Sequence, residues 1–442
     1  MTFLKARTRR WAAGAALGLL LGASLSVRGV AAGPTGTITE FPAGSTPGSN
    51  PAGITPGPDG NLWFTEYYGN RIGKITTAGA VTEFATITAV SGPAGITVGP
   101  DGNLWFAEAV GNKIGRITLA GVVTEFPSKV TPSAEPASIT LGPDGNMWFT
   151  EANDRIGRIT PTGVVTEFGT GITAGSFPAN ITQGPDGNLW FTEPYGNRIG
   201  RITPAGVITE FSVGIGLLSY PEGITQGPDG NLWFTQRGTT TIGRITPAGV
   251  ISQLHTTITP GSLPTGITHA HDGNLWFTEF VGDKIGRITP TGLVTEFSTG
   301  VTPGSLSVGI TEGPEGNLWF TELAGNRIGR VDLAPTVILN PLILDFGRHR
   351  MNSGSATKDI ILTNSGSVPI RVTSMVATTD GDPFELKNGC PVTLAPGAKC
   401  PIHVTFGATA PGRSSGTLTV VTTGGTVTAD MTGAAIWAPP GF

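Results

Sequence analysis

Cysteine and histidine are both scarce in this 442-residue chain, with two and five residues respectively. Two thiols exclude a disulfide-built scaffold and a four-thiolate zinc site. The histidines show no H-E-x-x-H spacing, which argues against a zinc hydrolase of that kind. Charge is thin as well: Asp, Glu, Lys and Arg make up 13% of the chain, about half the usual share. A formal charge of −4 supplies no field for holding a polyanion, so nucleic acid is not an expected partner. Glycine, at 67, and proline, at 35, are abundant. Without a period they would suggest low complexity, but here they recur at fixed positions and read as turns.

Residues 1–32 read as a secretory signal peptide. Lys5, Arg7, Arg9 and Arg10 form a basic start, residues 11–27 are apolar or small without charge, and Val30-Ala31-Ala32 offers small residues for cleavage. Cleavage also removes basic residues and no acid, so the mature chain is more acidic than the whole. A secreted or cell-surface protein is expected, monomeric and without a membrane span in its mature part.

Internal repetition decides the fold. The unit reads P-x-G-I-T-x-G-P-D-G-N-L-W-F-T-E, then G-N-R-I-G-R-I-T, then a glycine turn and V-T-E-F. Its tryptophans, Trp63, Trp105, Trp148, Trp190, Trp233, Trp276 and Trp319, recur every 42 or 43 residues. The first unit holds four short runs, Gly53–Gly57, Asn61–Glu66, Arg71–Thr76 and Ala80–Phe84. Asp59-Gly60 and Ala78-Gly79 supply tight turns between them. Four antiparallel strands per repeat of this length make one propeller blade. The V-T-E-F motif is missing after the seventh tryptophan unit, and a spare copy stands at residues 37–41. That copy is free to complete the last blade and close the ring. The expected fold is all-β: a seven-bladed β-propeller over residues 34–333, then an Ig-like β-sandwich over 336–435.

The second segment begins after Ala334-Pro335. Its β-runs, Asp359–Thr363, Ile370–Met375, Ile402–Phe406 and Thr417–Val421, suggest a small antiparallel sandwich. It resembles the choice-of-anchor D or ASH-type Ig-like repeats through Leu344-Asp345-Phe346-Gly347, Thr363-Asn364-Ser365-Gly366 and Leu394-Ala395-Pro396-Gly397. Cys390 and Cys400 enclose a Pro-Gly turn, and in an exported protein this favours a disulfide.

The repeat, in stretches such as Gly187-Asn188-Leu189-Trp190-Phe191-Thr192-Glu193 and Arg198-Ile199-Gly200-Arg201-Ile202-Thr203, resembles the streptogramin B (virginiamycin B) lyase family over about residues 34–333. The resemblance implies a Mg²⁺-assisted β-elimination that opens a cyclic depsipeptide lactone. A base removes a proton α to a carbonyl while the metal stabilises the enolate. It also implies a histidine base following the proline that leads into a blade, and an acidic metal ligand after the W-F strand.

The matching lead-in positions are Ala52, Ala94, Ala137, Ala179, Glu222, Thr265 and Val308. None is histidine. Glu222 is the one carboxylate among them, and Glu135 and Glu151 are the candidate metal ligands. Glu66, Glu108, Glu151, Glu193, Glu279 and Glu322 recur at the end of the W-F strand. Each is followed across the hairpin by Lys or Arg, so an ion pair within each blade is expected. The fifth unit has Gln236, Thr241 and Gln253 instead. His269 and His271, beside a turn, are expected to be solvated. The expected function is binding of an extracellular ligand (a glycan, peptide or cell-surface protein) at the seven lead-in positions, with no cofactor. The alternatives are a Mg²⁺-dependent streptogramin-type lyase and a rigid spacer.

Overall fold

The structure is a computed structural model and describes residues 36–44, 46–85, 87–126, 131–254, 257–333, 336–351, 355–365, 369–379, 384–407 and 410–437. The leader lies outside them. No described helix is long and apolar enough to cross a membrane.

Seven four-stranded antiparallel sheets follow one another. In the first, Pro51–Pro56 is innermost, followed outward by Leu62–Glu66, Arg71–Ile75 and Val81–Phe84. The second strand, L-W-F-T-E, is buried at every residue, hence its unbroken apolar run. Its hairpin turn is built from Asp59, whose carboxylate accepts from the Asn61 amide at 3.3 Å and from Trp63 Nε1 at 3.1 Å. Gly60 supplies the positive φ of 75° that this turn needs.

Packing explains the I-G-R/K motif of the third strand. A Cβ at Gly73 would stand 2.1 Å from the Phe64 ring, so the position must be bare. Each of the seven repeat tryptophans is fully buried. In six blades it stacks on the outer-strand phenylalanine, as Trp63 does on Phe84 with centroids 5.4 Å apart. A third-strand cation lies over the ring, Arg116 being 5.4 Å from the centre of Trp105. Each tryptophan also packs with the following blade: Trp148 shares a cluster with Ile181, Leu189 and Phe191.

The ring closes as the spare motif requires. Thr37–Pro42 pairs antiparallel with Arg327–Asp332, from Thr37 opposite Asp332 to Pro42 opposite Arg327. Trp319 then joins Ile54, Leu62 and Phe64 of the first blade in one core cluster. The inner strands stand side by side around the axis, and the last, Ser307–Glu312, neighbours the first.

The C-terminal domain is two sheets. Val337–Asn340, Ala356–Asn364, Lys399–Phe406 and Phe384–Asn388 form one in that spatial order. Ile343–Arg350, Gly425–Ile436, Gly412–Thr422, Ile370–Thr379 and Thr393–Leu394 form the other. All four runs read from the sequence lie inside observed strands. The sandwich is not wholly antiparallel, however: Ile343–Arg350 runs parallel to Gly425–Ile436. Phe346, Phe384 and Phe406 meet at the core.

Cys390 and Cys400 form a disulfide with Cα atoms 4.9 Å apart. Closing a loop of ten residues restricts the unfolded chain by about 2–3 kcal/mol in the chain-entropy account. Replacing both by serine should lower the unfolding midpoint of the sandwich and leave the propeller transition in place. Calorimetry resolving the two transitions checks this, and equal losses in both would contradict it.

Candidate functional site

Each inner strand starts at one face of the ring and the second strand returns to it. The lead-in loops and the loops between second and third strands therefore share one face, here called the mouth. The seven lead-in residues lie there at the start of the inner strands. Ala52, Ala94, Ala137, Ala179, Glu222 and Val308 are half-buried, and Thr265 is buried. A ring of hydroxyls holds them in place. Thr65 Oγ1 accepts from the Gly53 amide at 2.9 Å and donates to the Ala94 carbonyl of the next blade. Thr150, Thr192, Thr235, Thr278 and Thr321 donate in the same way to the carbonyls of Ala179, Glu222, Thr265, Val308 and Ala52. Ala107 stands in the second blade, so the ring has one gap, before Ala137. The lead-in backbone is thus committed to joining blades.

The outer part of the mouth is built from loop against loop. Tyr68 and Gly69 amides donate to the Ser49 carbonyl, and Val110 and Gly111 amides to that of Ser91. Asn70 and Asn112, at positive φ, accept from the next lead-in loop. On this frame stands an aromatic line: Phe177 meets Tyr195 edge-on at 5.2 Å, and Tyr195 meets Tyr220 at 5.9 Å. Tyr195 is 67% exposed, and Leu217, shortly before Tyr220 in the chain, 90%. Arg237 lies over Phe280 at 5.0 Å and opposes the rise that burial imposes on the Glu222 carboxyl. The sequence reading did not find this line. Its residues occupy variable loop positions that the repeat does not mark.

Beneath the mouth, the six second-strand glutamates are fully buried and no well-formed hydrogen bond reaches their carboxyl oxygens, although the Ser49, Ser91, Ser262 and Ser305 hydroxyls lie close enough to Glu66, Glu108, Glu279 and Glu322 to oppose the effect of burial. The expected ion pairs need correction. Glu66 is opposite Arg71 in backbone register, yet the cations bridge to the outer-strand glutamates. Arg71 reaches Glu83 at 4.0 Å, Lys113 reaches Glu125 at 3.0 Å, Arg155 reaches Glu167 at 3.7 Å and Arg198 reaches Glu210 at 3.6 Å. Lys284 reaches Glu296 at 2.7 Å and Arg327 reaches Glu40 at 2.8 Å. An ion pair is cheaper where water still reaches the cation. The bare third-strand glycine leaves a lane for the buried acid: a Cβ on Gly115 would lie 2.8 Å from Glu108 Oε1.

The electrostatics follow. Burial, aided by the outer-strand carboxylate, pushes Glu66, Glu108 and Glu279 up to about 7, Glu151 and Glu322 to about 8, and Glu193 to about 9. Burial also works on Glu125. There the Thr88 hydroxyl and amide and the Lys113 ammonium outweigh it and hold the carboxyl below its ordinary value. In the fifth blade the Gln236 amide donates to Gln253 and, at 3.1 Å, to Thr241.

These groups do not fit Mg²⁺. Among the described residues no three His, Cys, Asp or Glu side chains gather where they could hold a metal ion. Glu151 is buried beneath the mouth, while Glu135 is exposed on its loop. His269 and His271 sit at the far end of the sixth blade. Contrary to expectation they are not solvated turn residues: His271 is 4% exposed and its Nδ1 meets Glu312 of the seventh blade. That contact lies between blades, which a reading of one repeat does not contain. His349 and His403 belong to the C-terminal domain, and His255 lies outside the described residues.

Residues 29–213 and, overlapping them, 128–342 match the virginiamycin B lyase family, and residues 335–434 match the HYDIN/CFA65/VesB-like Ig-like domain. A solved streptogramin B lyase is 39% identical over 68% of this chain and 98% of its own, with a TM-score of 0.63. The virginiamycin B lyase of Staphylococcus aureus is 38% identical over 67% of this chain and 99% of its own, also at 0.63. A catalytically inactive histidine-to-alanine form of that enzyme has been solved with quinupristin. The WD40 propeller of Doa1, at 9% identity and a TM-score of 0.54, shares the fold alone. No curated protein sequence matches. With most of its length accounted for in this way, the chain belongs to the virginiamycin B lyase family.

Proposed function

We propose that this protein is an exported binding member of its family, which holds a ligand with aromatic or apolar groups on the mouth face and does not open lactones. The observation that carries this reading is the aromatic line of exposed Phe177 and Tyr195 backed by half-buried Tyr220, on a face whose seven lead-in positions include no histidine. The relative solved with quinupristin is catalytically inactive after loss of one histidine. Exposed aromatic side chains favour a partner that covers them, because they add contact area at little entropic cost. Export rests on the 1–32 leader, and the Cys390–Cys400 disulfide is compatible with it.

Calorimetric titration of the mature protein with quinupristin tests the binding. Tyr195→Ala should weaken it roughly fivefold to tenfold, the scale of one aromatic contact. Glu222→Gln should change it little. Absence of binding, or full affinity in Tyr195→Ala, would overturn this assignment of the surface.

A further inference from the structure

We propose that each of six blades holds a proton between its second-strand and outer-strand glutamates, and that these protons clamp the loops of the mouth face. The fourth blade shows the geometry. Glu193 is fully buried and neither of its oxygens receives a hydrogen bond. The groups acting on it are Glu210 on the outer strand, Arg198 on the third strand and Asp154 of the preceding blade. Asp154 is held by the Gly175 and Phe177 amides; the trio within the blade, Glu193, Glu210 and Arg198, is two carboxylates and one guanidinium, a net negative charge in a site closed to water on Glu193's side. One proton makes the trio neutral, and a protonated acid facing a carboxylate is also the arrangement in which both are satisfied.

The fifth blade reaches the same neutrality by substitution. Gln236 is the isostere of a protonated glutamic acid and donates to Gln253, which replaces the second carboxylate, while Thr241 replaces the cation. All three charges are lost together, as a shared neutral trio requires. A simple pair between the second-strand acid and the cation would give the outer-strand acid no reason to change with them.

The clamp follows from what the trio carries. The second-strand glutamate ends where the loop to the third strand begins, and the outer-strand glutamate ties down the lead-in loop. Glu210 accepts from the Thr173 amide at 2.6 Å and from its hydroxyl at 2.7 Å. Glu125 does the same for the Thr88 amide, at 2.7 Å. Removing the proton leaves the buried carboxylate facing the anchored one directly under both loops.

Infrared spectroscopy of the mature protein in heavy water tests the protons. A protonated-carboxyl carbonyl band should be present at neutral pH and fade as the pH rises through about 7 to about 9. At about pH 6, where all six acids hold their protons, Glu193→Gln should reduce it by roughly one sixth. Amide hydrogen exchange tests the clamp. Corrected for intrinsic base catalysis, loops anchored by glutamate, such as Val110–Gly111 on Ser91, should exchange at least about tenfold faster on the alkaline side. The fifth-blade pair, Gly238 on Ser219, should not. A band that titrates at the ordinary carboxyl value would overturn the shared protons. Equal acceleration in the fifth blade would overturn the clamp.

Discussion

Deleting residues 33–42 should lower the unfolding temperature of the propeller by roughly 10 °C or more. The deletion removes the outer strand of the seventh blade and with it six paired positions, from Thr37–Asp332 to Pro42–Arg327. It also removes the Phe41 ring stacked on Trp319 at 5.5 Å and leaves Arg330 without one face of its sandwich. The Glu40 carboxylate that joins Arg327 to Thr302 is lost as well, so the seventh lead-in loop is untied. Ile38, 8% exposed, and the backbone bonds together are worth on the order of 5 kcal/mol. That is a large share of the ~5–15 kcal/mol that keeps a domain folded. The exposed edge of Arg327–Asp332 should also promote association between chains. Thermal unfolding with tryptophan fluorescence as the probe checks the prediction, and equal midpoints for the mature and truncated proteins would refute the closure.

A rise in pH from about 5 to about 10 should destabilise the propeller substantially. The second-strand glutamates have folded values raised above the ordinary 4.5, by burial first and then by the facing carboxylate. A group raised in this way contributes its full stability below about pH 4.5 and loses it as the pH climbs through the folded value. Even the mildest of the six, raised to about 7, represents roughly 3 kcal/mol once ionised in both states. The six contributions share one sign, so the loss grows with each acid that ionises and is felt first at the mouth loops above them. On the acid side the sign reverses. Glu40, Glu125 and Glu296 are held low by their threonines and cations against the pull of burial, and their contribution is lost as the pH falls through those lowered values. Stability should therefore peak near the ordinary carboxyl value of 4.5, where both sets contribute, and fall on either side. Glu193→Gln should flatten the alkaline limb, because an amide carries no proton to lose. Unfolding midpoints that stay level across the alkaline range would contradict the account.

The propeller was legible in the sequence because its information is repeated. Seven copies of G-P-D-G-N-L-W-F or its close variants marked the turn and second strand, and the displaced V-T-E-F at residues 37–41 marked the joint. Strand edges in the first blade shifted by no more than a few residues, since turn chemistry rather than the strands themselves sets them. The cation partners were not legible. Register does place Arg71 opposite Glu66, but Glu83 lies on the same face two strands from Glu66. Which acid the guanidinium meets depends on how much water reaches each, a property of the packed blade. His271 was misread for a related reason, since its partner Glu312 belongs to the next blade. The aromatic line of the mouth was invisible because Phe177, Tyr195 and Tyr220 are brought together by three different loops.

Incubating the mature protein with quinupristin and Mg²⁺ separates a binding face from the family's elimination chemistry. Elimination leaves the mass unchanged, so ring opening is read by chromatography and fragmentation. The ligand should stay cyclic, at a turnover at least about 10²-fold below that of a true lyase, the scale of a lost general base. Linearisation at a lyase-like rate, abolished by Glu222→Ala or Glu151→Ala, would contradict the binding assignment and make the protein an enzyme.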